Sequence, residues 1–112
     1  MTIPREPRCY PYSTACTMAR DLVQRAGFLF LHNSANSGAA YFGWPGRFGT
    51  LRVTALPKDG PPNKRVVDGP TLVSAIFPKE RTRGFTVTEI EAEAARAIGI
   101  YMIRARRVGQ TA

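Results

Sequence analysis

The chain has 112 residues, enough to bury one core and too few for two. Hydrophobic residues make up 44% and charged residues 21%, which excludes wholesale disorder, and no apolar run approaches the ~18 residues a membrane span requires. Sixteen Lys and Arg against eight Asp and Glu leave a formal net charge of +8 and a pI near 10.3, a surface that repels basic partners and attracts polyanions.

Thirteen of the sixteen cations are arginine. A planar guanidinium grips a phosphate through two hydrogen bonds or stacks on a base, whereas an ammonium is a point charge, so nucleic acid leads the expected partners and an acidic protein surface follows. Met1 to Pro11 carries charges and prolines where a signal peptide would be apolar, which predicts a cytoplasmic protein. Cys9 and Cys16 are then expected as thiols. With His32 as the single histidine they fall short of a zinc ligand set, so neither a metal nor a cofactor is expected.

Residues 1–12, with Pro4, Pro7, Pro11, Arg5 and Arg8, read as a basic, extended, solvated arm. From Ser13 the spacing of Ala15, Met18, Ala19, Leu22, Val23 and Ala26 predicts a helix, capped by Ser13 or Thr14 and stopped at Gly27. Phe28 to His32 reads as a strand, Asn33 to Gly38 as a turn and Ala39 to Gly43 as a returning strand. After the Pro45-Gly46 turn, Leu51 to Ala55 alternates as a third strand, completing an antiparallel meander.

Five prolines and three glycines between Pro57 and Gly84 mark a loop-rich insertion, mobile from Pro57 to Asn63. Within it Thr71 to Phe77 reads as a strand that either extends the sheet or pairs with Arg65 to Val67. Thr86 and Thr88, each three residues ahead of a glutamate, announce a second helix whose apolar face is Ile90, Ala94, Ala97 and Ile98. Ile100 to Arg107 fits either a continuing helix or a strand. The expected architecture is α+β: one domain over 13–107 and a tail at 108–112, with a small antiparallel sheet of three to five strands on two helices, in the order α-β-β-β-(β)-α.

That order, with "LVQRAGFLFLHNS" followed by "YFGWPGRFGTLRVTALP", resembles the HicA family of small toxins. Gly27-Phe28 matches the family's helix end, and Leu51 to Thr54 with Pro57 matches its third strand. The resemblance spans roughly residues 17 to 55 and 85 to 99. It implies a double-stranded-RNA-binding-domain-like fold and, in active members, cleavage of messenger RNA. Where the family carries its catalytic histidine this chain has Ser37-Gly38-Ala39-Ala40, none of which moves a proton near neutral pH, and the insertion at 57–84 is foreign to the family pattern.

For catalysis the residues offer His32 as a general base, with Arg47 or Arg52 to stabilise a developing phosphorane, or a thiol nucleophile at Cys9 or Cys16. Gly43, Gly46 and Gly49 lack the strand-to-helix setting of a phosphate loop, and Glu89, Glu91 and Glu93 do not share one helix face. The richest constellation is distributed. Tyr41, Phe42, Trp44, Arg47, Phe48 and Arg52 interleave rings and guanidinium groups along one hairpin, a combination that stacks bases and holds phosphates, although Phe42, Phe48 and Trp44 also suit a core. Lys58, Lys64, Arg65, Lys79, Arg81 and Arg83 would extend the contact, and Arg104, Arg106 and Arg107 add charge near the C-terminus. The leading expectation is a small non-enzymatic nucleic-acid-binding protein, with a homodimer permitted. A HicA-like ribonuclease using His32 is one alternative, and a phage-type accessory protein that inhibits a host nucleic-acid-processing complex is the other.

Overall fold

The computed structural model describes residues 8–33, 39–55 and 69–107. The first helix, α1 (Tyr12–Ala26), is preceded by β1 (Cys9–Tyr10) and followed by β2 (Leu29–Asn33), β3 (Ala40–Gly43), β4 (Arg47–Phe48) and β5 (Thr50–Thr54). Then come β6 (Thr71–Ile76), β7 (Phe85–Thr86), the second helix α2 (Val87–Arg104) and β8 (Arg106–Arg107). The α+β architecture is the expected one. Four strands form the main sheet in the order β2-β3-β5-β6, and β1/β7 and β4/β8 form two short ribbons.

Residues 9–12 depart from the expected arm, whose residues 1–7 lie outside the described ones. Cys9 and Tyr10 pair with Thr86 and Phe85, and α1 begins at Tyr12. Pro11, at φ −64° and ψ 162°, occupies the N-cap because its ring presets the extended entry, and its carbonyl accepts from the Ala15 N–H at 2.9 Å. Ser13 and Thr14, expected as caps, therefore lie inside the first turn. The helix stops at Gly27 as its sequence predicts, with φ 119° and its N–H donated to the Gln24 carbonyl at 3.0 Å.

β2, β3 and β5 form the antiparallel meander, and β6 extends it in parallel with β5. A parallel neighbour needs a long crossover, which is why the chain spends so many residues between β5 and β6. The expected pairing partner Arg65 to Val67 lies outside the described residues, as do the stretch from Pro57 to Asn63 and the tail.

One face of this sheet is buried. Phe42, Leu51 and Val73 form one cross-strand row, and Ala40, Val53 and Ala75 form the next. Against them pack Ala15, Ala19 and Val23 of α1 and Ile90, Ala94, Ala97 and Tyr101 of α2. Large and small side chains alternate on both layers, Phe42 and Leu51 of the sheet with Tyr101 and Ile90 of α2, and the helix alanines let the backbones come close. Both helices thus share one face.

A bulge in β2 decides what reaches the other face. Phe30 pairs with Phe42 and His32 with Tyr41, so the register shifts by one residue between them. Strict alternation would put Phe30 and His32 on the same side; the extra residue sends Phe30 toward α1 and His32 away from the helices. Arg20 of α1 then lies over the Phe30 ring, 5.8 Å from its centre.

β6 is an edge strand, and α2 covers that edge with side chains. Glu93 accepts from the Ile76 N–H at 2.9 Å, Arg96 donates to the Ser74 carbonyl at 2.7 Å, and Arg104 donates to the Leu72 carbonyl at 2.7 Å. Three of the outward backbone groups are thus satisfied by side chains, which blunts edge-to-edge association. Burial pushes the Glu93 carboxyl up, but the Arg96 guanidinium and the Ile76 N–H outweigh it and hold the group below its ordinary range.

At Gly27 both backbone and space exclude a side chain, since an added Cβ would stand 2.9 Å from Trp44 Cη2. Replacement Gly27→Ala is expected to cost at least about 1 kcal/mol in urea unfolding, through the positive φ and the displaced indole.

Candidate nucleic-acid interface

The last turn of α2 leads directly into a basic ribbon. Ala105 leaves the helix at φ −73° and ψ 132° while its N–H still reaches the Tyr101 carbonyl at 2.7 Å, and Arg106 and Arg107 continue as β8. Residues 99–107 are thus helix first and strand afterwards, and Gly99 is absorbed into the helix. Arg107 pairs with Arg47 and Arg106 with Phe48, forming the β4/β8 ribbon.

Four hydrogen bonds from three side chains hold this end of the molecule together. The buried Tyr101 hydroxyl accepts from the Trp44 N–H at 3.2 Å and donates to the Gly49 carbonyl at 3.0 Å, bracketing the segment that contains β4. Arg47 donates to the Ala105 carbonyl at 3.2 Å, and Arg104 is tied to Leu72. Gly49, at φ 113°, has no room for a side chain because a Cβ would meet Leu72 Cδ1 at 2.4 Å.

Among the described residues the charge of this ribbon has no carboxylate partner. Ion pairs among the described residues join Arg25 to Asp21, Arg81 and Arg83 to Glu89, and Arg96 to Glu93; none involves Arg47, Arg104, Arg106 or Arg107. Arg104, Arg106 and Arg107 are exposed, and Phe48, opposite Arg106, is 48% exposed. Phe48 suits a core in the sequence, and its companions become visible only when β8 folds back beside β4.

The other expected site residues are placed elsewhere. Trp44 is half-buried, lying over Gly27 and edge-on to Phe28 with ring centres 5.1 Å apart, so its indole fills structure at the end of α1. Lys79, Arg81 and Arg83 sit near the N-terminus of α2, which at 1.5 Å per residue is ~25 Å from the ribbon at its other end. There Lys79 lies over the Tyr12 ring and Arg81 over Phe85, while Arg81 and Arg83 pair with Glu89. The described basic residues of the insertion therefore do not extend the ribbon surface. Lys58, Lys64 and Arg65 lie outside the described residues.

His32, Tyr41 and Arg52 share the sheet face turned away from the helices. The His32 and Tyr41 rings stack with centres 4.9 Å apart at 28°, and Arg52 Nε donates to Ser74 Oγ at 2.8 Å. Ser74 was not anticipated as part of this group, because its place depends on β6 running parallel to β5. No hydrogen bond joins His32 to a carboxylate among the described residues, so the orienting acid of a catalytic pair is not seen there. Cys16 is half-buried and its thiol is pushed up to about 11 by burial, only partly opposed by Arg20, the reverse of an activated nucleophile.

Glu89 anchors the far end of α2. Its carboxylate accepts from the Thr86 N–H at 3.0 Å while Thr86 Oγ1 accepts from the Glu89 N–H at 3.2 Å, closing the expected capping box at Thr86. The Thr86 N–H, then Arg81, lower its pKa to about 2 against a small opposing effect of burial.

No family model, curated protein or solved structure matches this chain significantly.

Two outcomes test this geometry. Replacement Tyr101→Phe leaves the buried Gly49 carbonyl and the Trp44 N–H without their partner and is expected to lower stability by about 1 to 3 kcal/mol in chemical denaturation. Because the folded protein lowers the Glu89 pKa, its stabilising charge is fully present above the ordinary carboxylate range and is lost as pH falls toward about 2. Thermal unfolding of wild type and Glu89→Gln should therefore show a constant gap above about pH 5 that narrows steadily below it.

Proposed function

We propose that this protein is a non-enzymatic nucleic-acid-binding protein of the cytoplasm that holds phosphates on its β4/β8 ribbon. The observation that carries this reading is a ribbon that pairs Arg47 with Arg107 and the exposed Phe48 with Arg106, directly after Arg104, with no described carboxylate ion-paired to any of these arginines. Arginines brought side by side across the ribbon without a described counter-charge repel one another, and a polyanion relieves that repulsion while releasing its own condensed counterions. Arg47 and Arg104 spend one donor each on backbone carbonyls, which fixes their planes and lowers the entropy lost when a phosphate arrives. Such contacts position a nucleic acid without reading its sequence.

The test is fluorescence anisotropy of end-labelled oligonucleotides across a salt series, with electrophoresis of the same samples. Wild type should bind intact strands with strongly salt-dependent affinity. Each of Arg106→Ala and Arg107→Ala should weaken binding by about tenfold at 0.1 M salt and flatten the log–log salt slope by about 0.7 to 0.9. Shortened RNA that depends on His32 would favour the HicA-like ribonuclease instead. Absence of binding to any nucleic acid would overturn the proposal and turn attention to an acidic protein surface as the partner.

A further inference from the structure

The helix-free face of the main sheet carries a second arrangement suited to nucleic acid, made of different residues from the ribbon. His32, Tyr41, Arg52 and Ser74 stand in cross-strand register on β2, β3, β5 and β6. His32 is exposed, Tyr41 and Arg52 are half-exposed, and neither helix packs on this side. The imidazole and phenol are nearly parallel, with centres 4.9 Å apart, and Arg52 is steered along the row by its 2.8 Å hydrogen bond to Ser74.

We infer that this row is a base-stacking platform that makes the protein select single-stranded nucleic acid over duplex. The inference rests on the phosphate-binding reading of the ribbon and names the class of ligand that it holds. A base stacks on a protein ring only when it has left its neighbour in the strand. Paired bases inside a duplex keep their faces covered and offer only edges and phosphates. The β2 bulge puts an exposed ring at the sheet edge, already backed by Tyr41, so its outward face is presented rigidly and at little entropic cost. Arg52 adds positive charge and a planar group beside the phenol, where the sugar-phosphate backbone of a stacked strand would pass. A pair serving only to support the sheet register would stabilise the fold equally well without any ligand; the experiment separates the two roles.

Anisotropy is measured at one salt concentration with three labelled probes of equal length: oligothymidylate, the same strand with abasic sites throughout, and a duplex. Wild type should hold oligothymidylate roughly tenfold more tightly than the abasic strand. His32→Ala should remove most of that preference while leaving abasic binding and thermal unfolding unchanged, and His32→Phe should restore it. Tyr41→Leu, with folding checked by circular dichroism, should also lose the preference. Equal affinity of wild type for oligothymidylate and the abasic strand, a preference unchanged in His32→Ala, or tighter binding of duplex than of single strand overturns the platform while leaving the ribbon reading intact. Failure to bind any of the three overturns both.

Discussion

The hydroxyl of Tyr101 is the contact on which the β4/β8 end of the molecule depends. It lies in the core, accepts from the Trp44 N–H and donates to the Gly49 carbonyl, so one buried oxygen satisfies backbone groups on both sides of β4. Its ring meets Phe28 edge-on at 4.9 Å, Phe28 meets Trp44 in the same way, and Trp44 covers Gly27. The end of α1, the turn after β3 and the last turns of α2 therefore converge on a single aromatic cluster with one satisfied polar group at its centre. Buried hydroxyls are costly unless bonded, and a fully bonded one specifies a unique geometry.

α2 joins the two halves of the electrostatic design. Its N-terminal half carries carboxylates that structure consumes: Glu89 closes the cap and pairs with Arg81, and Glu93 holds Arg96 and the β6 edge. Its last turn carries Arg104, which has no described carboxylate partner, and β8 prolongs that charge into the ribbon. Both arrangements agree with the helix dipole, negative groups at the start and positive groups at the end. The result is a basic surface at one end of a helix whose other end is internally neutralised. A net charge of +8 is therefore not spread evenly over the described surface.

The main sheet divides its faces just as sharply. One is filled by the helices, and the other bears the His32, Tyr41, Arg52 and Ser74 row. Covering the β6 edge with Glu93, Arg96 and Arg104 lets the sheet end without recruiting another strand. Arg104 takes part in both devices, since it closes the edge at Leu72 and stands beside the ribbon. Its two roles explain why the edge of the sheet and the basic cluster are contiguous.

The local features were legible in the amino-acid sequence: the stop at Gly27, the capping box of Thr86 and Glu89, the alternation of β5, and the α+β order with a fourth strand at Thr71–Ile76. Each is written in residues a few positions apart, where backbone preference and side-chain spacing act directly. The charge and the arginine excess also pointed to polyanions, without saying where on the surface they would meet. Tertiary structure alone decided which basic residues gather. Arg47 and Ala105 meet across 58 positions, Trp44 turns inward to cover a glycine, and Lys79, Arg81 and Arg83 remain at the opposite end of α2. The β2 bulge likewise reverses the face of His32 relative to Phe30, and no alternation pattern records a register shift imposed by the neighbouring strand. Local propensity sets the elements; which side chains become neighbours is set by how those elements bury their apolar faces together.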